Sequence, residues 1–319
     1  MKTLNINDIY SSINNCDVFI CCSSFEERCL EVASNLNIEQ IKSVIICHIE
    51  NSYPESEVNL SKLKDLFSGK YNVVTLSKDD PLKNYDNIFD KLSCLEEFNN
   101  VLLDISTFTR EMFLIIIKLF CQDPFANKNL TICYNPSDKY SLVSPDDIKN
   151  LWLSKGVSSI RSVIGYAGDL SPIKDNLLIV LVGFEAERSQ ILIDNFEAEQ
   201  LYIGCASKEE SINEDIANIN AQNFALLLNQ NSNAHEFTFS CKSLELTKLQ
   251  LINIIEQNKD MYNIIISPMC NKISTLATAA VTFRYPEVQI CYAATNMYNT
   301  IAYSSPAKHI YIIDAAELK

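Results

Sequence analysis

The sequence predicts an α/β chain of two tandem, doubly wound parallel-sheet units related by internal duplication. Three observations lead there. Short apolar runs alternate with longer stretches of helical character, the runs of the first half recur in order in the second, and the turn after the first run carries a Glu-Arg pair in both halves (Glu27-Arg28 and Glu187-Arg188). Strand-length apolar runs separated by helices imply right-handed crossovers and hence a parallel sheet.

The first strand is expected at Asp17–Cys22, followed by Ser23, Ser24 and a helix that opens on acidic residues; its counterpart is Leu177–Val182, followed by Gly183 and Phe184. Val44–Cys47 answers Leu201–Cys205 as the second strand, and Tyr71–Leu76 answers His235–Ser240 as the third. The fourth strands are Val101–Ile105 and Asn263–Ile266, each running into a polar turn and a helix. The fifth are Leu130–Tyr134 and Val288–Tyr292, each with a second tyrosine six residues later, Tyr140 and Tyr298. A sixth strand is expected in each half, at Ser159–Tyr166 and His309–Asp314. Gly and Pro cluster at Gly165–Pro172, which sets the expected boundary between a first Rossmann-like unit, 1–165, and a second, 166–319.

Composition narrows the function classes. A net charge of −14 disfavours a protein that wraps long nucleic acid, because phosphate neutralisation needs a broad basic surface. No apolar run reaches the roughly 20 residues of a membrane span, and Met1–Ser12 lacks the apolar core of a signal peptide. Twelve cysteines lie scattered through apolar segments with no C-x-x-C spacing, and the three histidines are far apart in sequence. This argues against a zinc site and for buried thiols in a reducing cytoplasm. With six glycines and no Gly-rich phosphate loop, the chain has no signature of a dinucleotide or P-loop cofactor; none is expected, nor a metal.

In an open parallel sheet, ligands bind beyond the carboxyl ends of the strands, where strand order reverses. The loops after the first and fourth strands are therefore the candidate site. After the first strand, Ser23 and Gly183 line the turns, and Arg28 and Arg188, two of only five arginines, stand at one repeated position. Two readings apply to them: a phosphate or carboxylate clamp, or an ion pair with a neighbouring Glu, or with the other repeat, that pins the helix. After the fourth strand, Asp104, Ser106, Thr107, Thr109 and Arg110 place a carboxylate at the strand end, hydroxyls at the helix cap and a cation one step later. They can hold an anion, or they can cap the helix. Ser267 and Lys272 are the matching residues of the second half, where Ile266 aligns with Asp104 and the carboxylate is lost. Trp152 is expected to cover one end of the first core.

The Asp104-Ile105-Ser106-Thr107-Phe108-Thr109-Arg110 segment resembles the turn after the fourth strand of CRISPR-associated Rossmann-fold sensor domains, at Asp104, Ser106, Thr109 and Arg110. Phe108 stands where that family has glycine. The resemblance implies a pocket for a cyclic or other nucleotide-type ligand, and a sensor or regulatory subunit of a prokaryotic antiphage system. Output would pass to a partner effector protein or a second copy. The alternatives are a nucleotide-processing enzyme, of phosphodiesterase or nucleoside N-glycosidase type, using Asp104 or Glu27, and a protein-interaction scaffold.

Overall fold

The computed structural model describes residues 1–13, 15–50, 53–140, 152–300 and 303–318. Along the chain come β1 (Lys2–Asn5), α1 (Ile9–Ser12), β2 (Val18–Cys22), α2 (Arg28–Ser34), β3 (Ser43–Ile49), α3 (Pro54–Leu66), β4 (Tyr71–Leu76), α4 (Pro81–Ser93), β5 (Asn100–Asp104), α5 (Arg110–Leu119), β6 (Asn129–Tyr134) and β7 (Ser137–Tyr140). Then follow β8 (Ser154–Ser162), β9 (Asp175–Leu181), α6 (Ala186–Phe196), β10 (Gln200–Ala206), α7 (Glu214–Gln230), β11 (His235–Phe239), α8 (Leu244–Asn258), β12 (Tyr262–Pro268), α9 (Lys272–Arg284), β13 (Gln289–Tyr298), β14 (Ser304–Pro306) and β15 (His309–Asp314).

The chain divides into two compact units. Unit 1 is Met1–Val143 with Thr300–Glu317, and unit 2 is Ser144–Asn299 with Leu318–Lys319. Unit 1 holds a seven-stranded sheet in the order β1-β15-β6-β5-β2-β3-β4, and unit 2 a six-stranded sheet in the order β11-β10-β9-β12-β13-β8. The five strands from β2 to β6, without β7, are mutually parallel, as are the five from β9 to β13. Both units are thus doubly wound and Rossmann-like, and in each the strand order reverses between the first and fourth parallel strands.

These strands are apolar on both faces because helices cover both faces of a parallel sheet. Every residue of β2 is buried, as are the last five of β9. In unit 1 one side of the sheet packs Phe19, Cys21, Val44, Ile46 and Leu102 against Val32, Leu60, Leu63 and Phe67 of the helices. Unit 2 has a core on each side, one around Leu177, Ile179 and Leu181, the other around Leu178, Val180 and Val182. Helix α5 buries eight of its ten residues and α9 ten of thirteen, as expected from an apolar stretch and an Ala/Thr stretch with no polar face.

The duplication extends to side chains. After the third parallel strand of unit 1, Asn84 accepts from Ser77 N at 2.6 Å and donates to Ser77 O at 2.7 Å. In unit 2 Thr247 does the same for Ser240, at 3.0 and 2.7 Å, again seven residues along.

The sixth strands depart from expectation. The segment from the end of the first half, β8, pairs antiparallel with β13 of unit 2, and it spans Ser154–Ser162, earlier than Ser159–Tyr166. The last strand of the second half, β15, pairs antiparallel with β6 of unit 1. Each half lends its final strand to the sheet of the other unit, where it covers the edge left by the fifth parallel strand. Hydrophobic pattern marks a strand but not its partner, so the exchange had no local signal. Strands β1, β7 and β14 were not foreseen either. β1 extends the edge beside β15, and β14 pairs with β7.

Candidate functional site

At the carboxyl ends of the strands of unit 1, Asp104, Ser106 and Arg28 join one buried hydrogen-bond network, while Ser23, Thr107 and Thr109 make separate contacts. Asp104, 2% exposed at the end of β5, accepts from Ser106 N at 2.9 Å and from Ser106 Oγ at 2.5 Å. Ser106 Oγ in turn accepts from Asn135 N at 2.8 Å, just past β6. Asn135 O accepts from Arg28 Nη1 at 2.9 Å, and Asn135 Nδ2 donates to Ala307 O and His309 O. The network thus ties the end of β5 to β6, α2 and the returning segment. Thr107 Oγ1 donates to Cys22 O at 2.7 Å, closing the fourth-strand turn onto the end of β2. Thr109 caps α5, its Oγ1 accepting from Met112 N, and Arg110 is the first residue of that helix.

Arg28 is fully buried. Its Nη2 and Nε reach Glu26 Oε2 at 2.6 and 2.9 Å, and Nε also reaches Ser304 Oγ at 3.2 Å, while Ser304 donates to Glu26. Burial works against the guanidinium charge, but the Glu26 carboxylate together with the Tyr140 and Tyr134 phenols holds Arg28 above its ordinary value. Unit 2 repeats the arrangement. Arg188 donates from Nε and Nη2 to Ala293 O and from Nη1 to Ser154 Oγ, with Glu185 Oε2 3.8 Å away. Glu185 Oε1 accepts from Ser154 N at 2.5 Å. In both units the arginine therefore joins the first helix to the carbonyl after the fifth-strand tyrosine and to a serine of the exchanged segment. These geometries match the pinning reading described above. Glu27, by contrast, is exposed, as is Glu187.

Pairing registers refine the alignment of the halves. Leu103 pairs with Ile132 and Ile266 with Ile290, so the residue at Asp104's place in unit 2 is Ser267, not Ile266. Ser267 Oγ donates to Cys291 O at 3.2 Å. Asn271 stands for Thr109 as the cap of α9, and Lys272 for Arg110. Ser23 N and Val182 N each donate to the neighbouring second strand, at Cys47 O and Gly204 O, so Val182 and Gly183 stand for Ser23 and Ser24. A Cβ at Gly183 would lie 2.3 Å from Met269 O, so glycine lets this loop press onto the loop after β12. Trp152 lies in unit 2 rather than over the first core: its ring carries Lys155 Nζ at 4.4 Å. A cavity of about 170 Å³ lies between Trp152–Gly156 and Phe184–Arg188.

Two features of unit 1 had no sequence signal. The rings of Phe25, Tyr53, Tyr140 and Tyr303, all half-buried, come from four separate segments. Phe25 meets Tyr53 at 5.3 Å and Tyr303 at 5.2 Å between centroids, both edge to face, and Tyr140 meets Tyr303 at 6.3 Å. Tyr140 is the tyrosine that the sequence repeats at Tyr298; Phe25, Tyr53 and Tyr303 are brought to it only by the fold. Burial raises the phenol of Tyr140 above the ordinary value, and that of buried Tyr134, to which it hydrogen-bonds, well above it. The second feature is a chain of polar contacts. Ser23 Oγ lies 2.8 Å from His48 Nδ1 at the end of β3, and His48 Nε2 lies 2.9 Å from Glu57 Oε1 in the first turn of α3.

Among the described residues, no helix is long and apolar enough to cross a membrane, and no group of three or more His, Cys, Asp or Glu is placed to hold a metal. No family model matches this chain. No curated protein matches it either. Among solved structures, the cytoplasmic domain of a prokaryotic cation chloride cotransporter aligns with 90% of this chain and 98% of its own, at 8% identity and a TM-score of 0.26, a likeness too slight to carry an argument.

Proposed function

We propose that unit 1 binds a nucleotide-type small ligand at the carboxyl ends of its parallel strands, and that the protein is a sensor or regulatory subunit. The observation that carries this reading is the aromatic group formed by Phe25, Tyr53, Tyr140 and Tyr303 beside the strand-order reversal. Half-buried rings from separate segments offer flat faces on which a base can stack. Asp104, Ser106, Thr109 and Arg110, which resemble the fourth-strand turn of nucleotide-sensing domains, end the neighbouring strand and open α5. Arg28 and Arg188 are spent on carbonyls and carboxylates, so their part is to hold the loop rather than to grip phosphate.

The signal would pass to an effector protein or a second copy, as in a prokaryotic antiphage system. Ten of the twelve cysteines are buried thiols, which suits a reducing cytoplasm. The test is retention of mono-, di- and cyclic nucleotides by the full chain on ultrafiltration, read by mass spectrometry of both fractions. Recovery of at least one unchanged nucleotide with the protein is expected. Phe25→Ala and Tyr303→Ala should each lower its affinity about tenfold, the worth of one stacked base at about 1–3 kcal/mol. Retention unaffected by both substitutions would remove the site from unit 1, and retention of none would favour a protein-binding scaffold.

A further inference from the structure

We propose that Ser23, His48 and Glu57 form a nucleophilic relay, and that unit 1 cleaves small carboxylic esters through an acyl-Ser23 intermediate. This goes beyond ligand binding and holds whatever the aromatic group stacks.

Ser23 Oγ has one proton and two acceptors in reach, His48 Nδ1 at 2.8 Å and Cys47 O at 3.3 Å. The shorter contact takes it. His48 is then the tautomer with its proton on Nε2, which it donates to Glu57 Oε1 at 2.9 Å. The order is that of an activated nucleophile: hydroxyl, base, and a carboxylate that orients the base. Ser23 and His48 are 3% and 7% exposed, so the proton transfer is shielded from bulk water, while Glu57 reaches solvent.

Unit 2 shows that the fold does not require these groups. Val182 occupies the place of Ser23 and Cys205 that of His48, yet the same backbone hydrogen bond from strand end to strand end persists. Burying a hydroxyl and an imidazole costs free energy that valine and cysteine avoid. The relay is therefore an addition to unit 1, built on the loop that also carries Phe25.

In the reaction, Ser23 Oγ attacks the ester carbonyl carbon as its proton passes to His48 Nδ1. The tetrahedral adduct collapses, the alkoxide leaves with the proton from His48, and the acyl group stays on Oγ. Water then attacks the acyl carbon, giving its proton to His48. The Oγ–acyl bond breaks, Ser23 recovers the proton, and the carboxylic acid leaves.

The test is labelling of the full chain with an alkyl fluorophosphonate, which carries no base and so reads the relay apart from nucleotide binding. The Oγ–P bond forms, the P–F bond breaks, and fluoride leaves with the proton. One adduct per chain, mapped to Ser23 by peptide mass spectrometry, is expected. It should be absent in Ser23→Ala and in heat-denatured protein, and formed at least 100-fold more slowly in His48→Gln. Glu57→Gln, acting through His48, should lower the inactivation rate constant about tenfold and leave the half-saturating probe concentration unchanged. Hydrolysis of p-nitrophenyl acetate should follow the same order. No adduct on native Ser23, or labelling of His48→Gln at the wild-type rate, would overturn the proposal.

Discussion

The first loop of unit 1 carries Ser23 and Ser24, whereas that of unit 2 carries Val182 and Gly183. Around them the two units share strand order, the buried Glu-Arg pin and the polar brace after the third strand. In both, a helix asparagine holds the loop: Asn59 Nδ2 donates to Ser24 O and Asn223 Nδ2 to Phe184 O. What differs is the carboxyl end. Unit 1 places hydroxyls, an imidazole and a carboxylate there, and unit 2 replaces them with Val182, Cys205 and Ser267. A duplicated scaffold needs its pins twice, because each unit must hold its own sheet and its borrowed strand. Chemistry needs only one equipped copy.

The pins give the largest expected effect. Arg28→Met leaves Glu26, whose side chain is 8% exposed, as an unpaired buried carboxylate, which should cost about 3–5 kcal/mol. Arg188→Met should cost less, about 1–3 kcal/mol, because Glu185 is 17% exposed and lies 3.8 Å from its guanidinium, against 2.6 Å for Glu26. Urea unfolding, resolved by hydrogen exchange in each unit, measures both; Trp152, the sole tryptophan, reports unit 2 by fluorescence. Equal losses would mean that charge pairing is not what distinguishes the two pins.

Next comes the loop itself. Gly183→Ala drives a Cβ against Met269 O and should destabilise unit 2 by about 1–3 kcal/mol. Ser24→Ala, at the matching half-buried position, loses a 3.3 Å contact with Glu26 N and should stay below about 1 kcal/mol. A mild Gly183→Ala would show that the second loop can move off the turn after β12.

The last effect is one of pH, at the opposite end of the sheet of unit 1. Asp17 accepts from Lys42 Nζ at 2.8 Å and from Asn99 N and Asn100 N, both at 2.9 Å. Those donors, Lys42 foremost, lower its carboxyl from 3.8 to about 2. A depressed carboxylate stabilises the fold fully above its unfolded value and loses that contribution as pH falls through its folded one. Unit 1 should therefore weaken as pH drops from about 4 to about 2, and Asp17→Asn should remove the effect at a cost of about 1–2 kcal/mol at neutral pH. Asn176 stands in the matching place in unit 2, so that unit should lack this dependence, as hydrogen exchange at the two pH values would show.

The ten parallel strands and the helices between them were legible in the sequence, because a strand covered on both faces is a continuous apolar run and its helix follows a polar turn. Duplication made each run a check on the other. The turn after the fourth strand was legible as a helix start for a similar reason: Asp104 holds Ser106 and Thr109 caps α5, contacts made within the segment itself. Arg28 was legible as a repeated position, with a pinning ion pair to a neighbouring Glu as one of its two readings; its ties to Asn135 and Ser304 were not, because those residues are distant in sequence.

By itself, then, the sequence determined what local rules can determine: two α/β units, where their parallel strands and helices fall, and which ends carry polar residues. Tertiary structure alone decided the exchange of β8 and β15, because strand pairing is a long-range choice with no local signature. It alone decided that Ser23, His48 and Glu57 meet, since adjacent strand ends and a helix start bring together residues that the chain keeps apart. The same holds for the ring group of Phe25, Tyr53, Tyr140 and Tyr303, which depends on the return of the last segment to the first sheet.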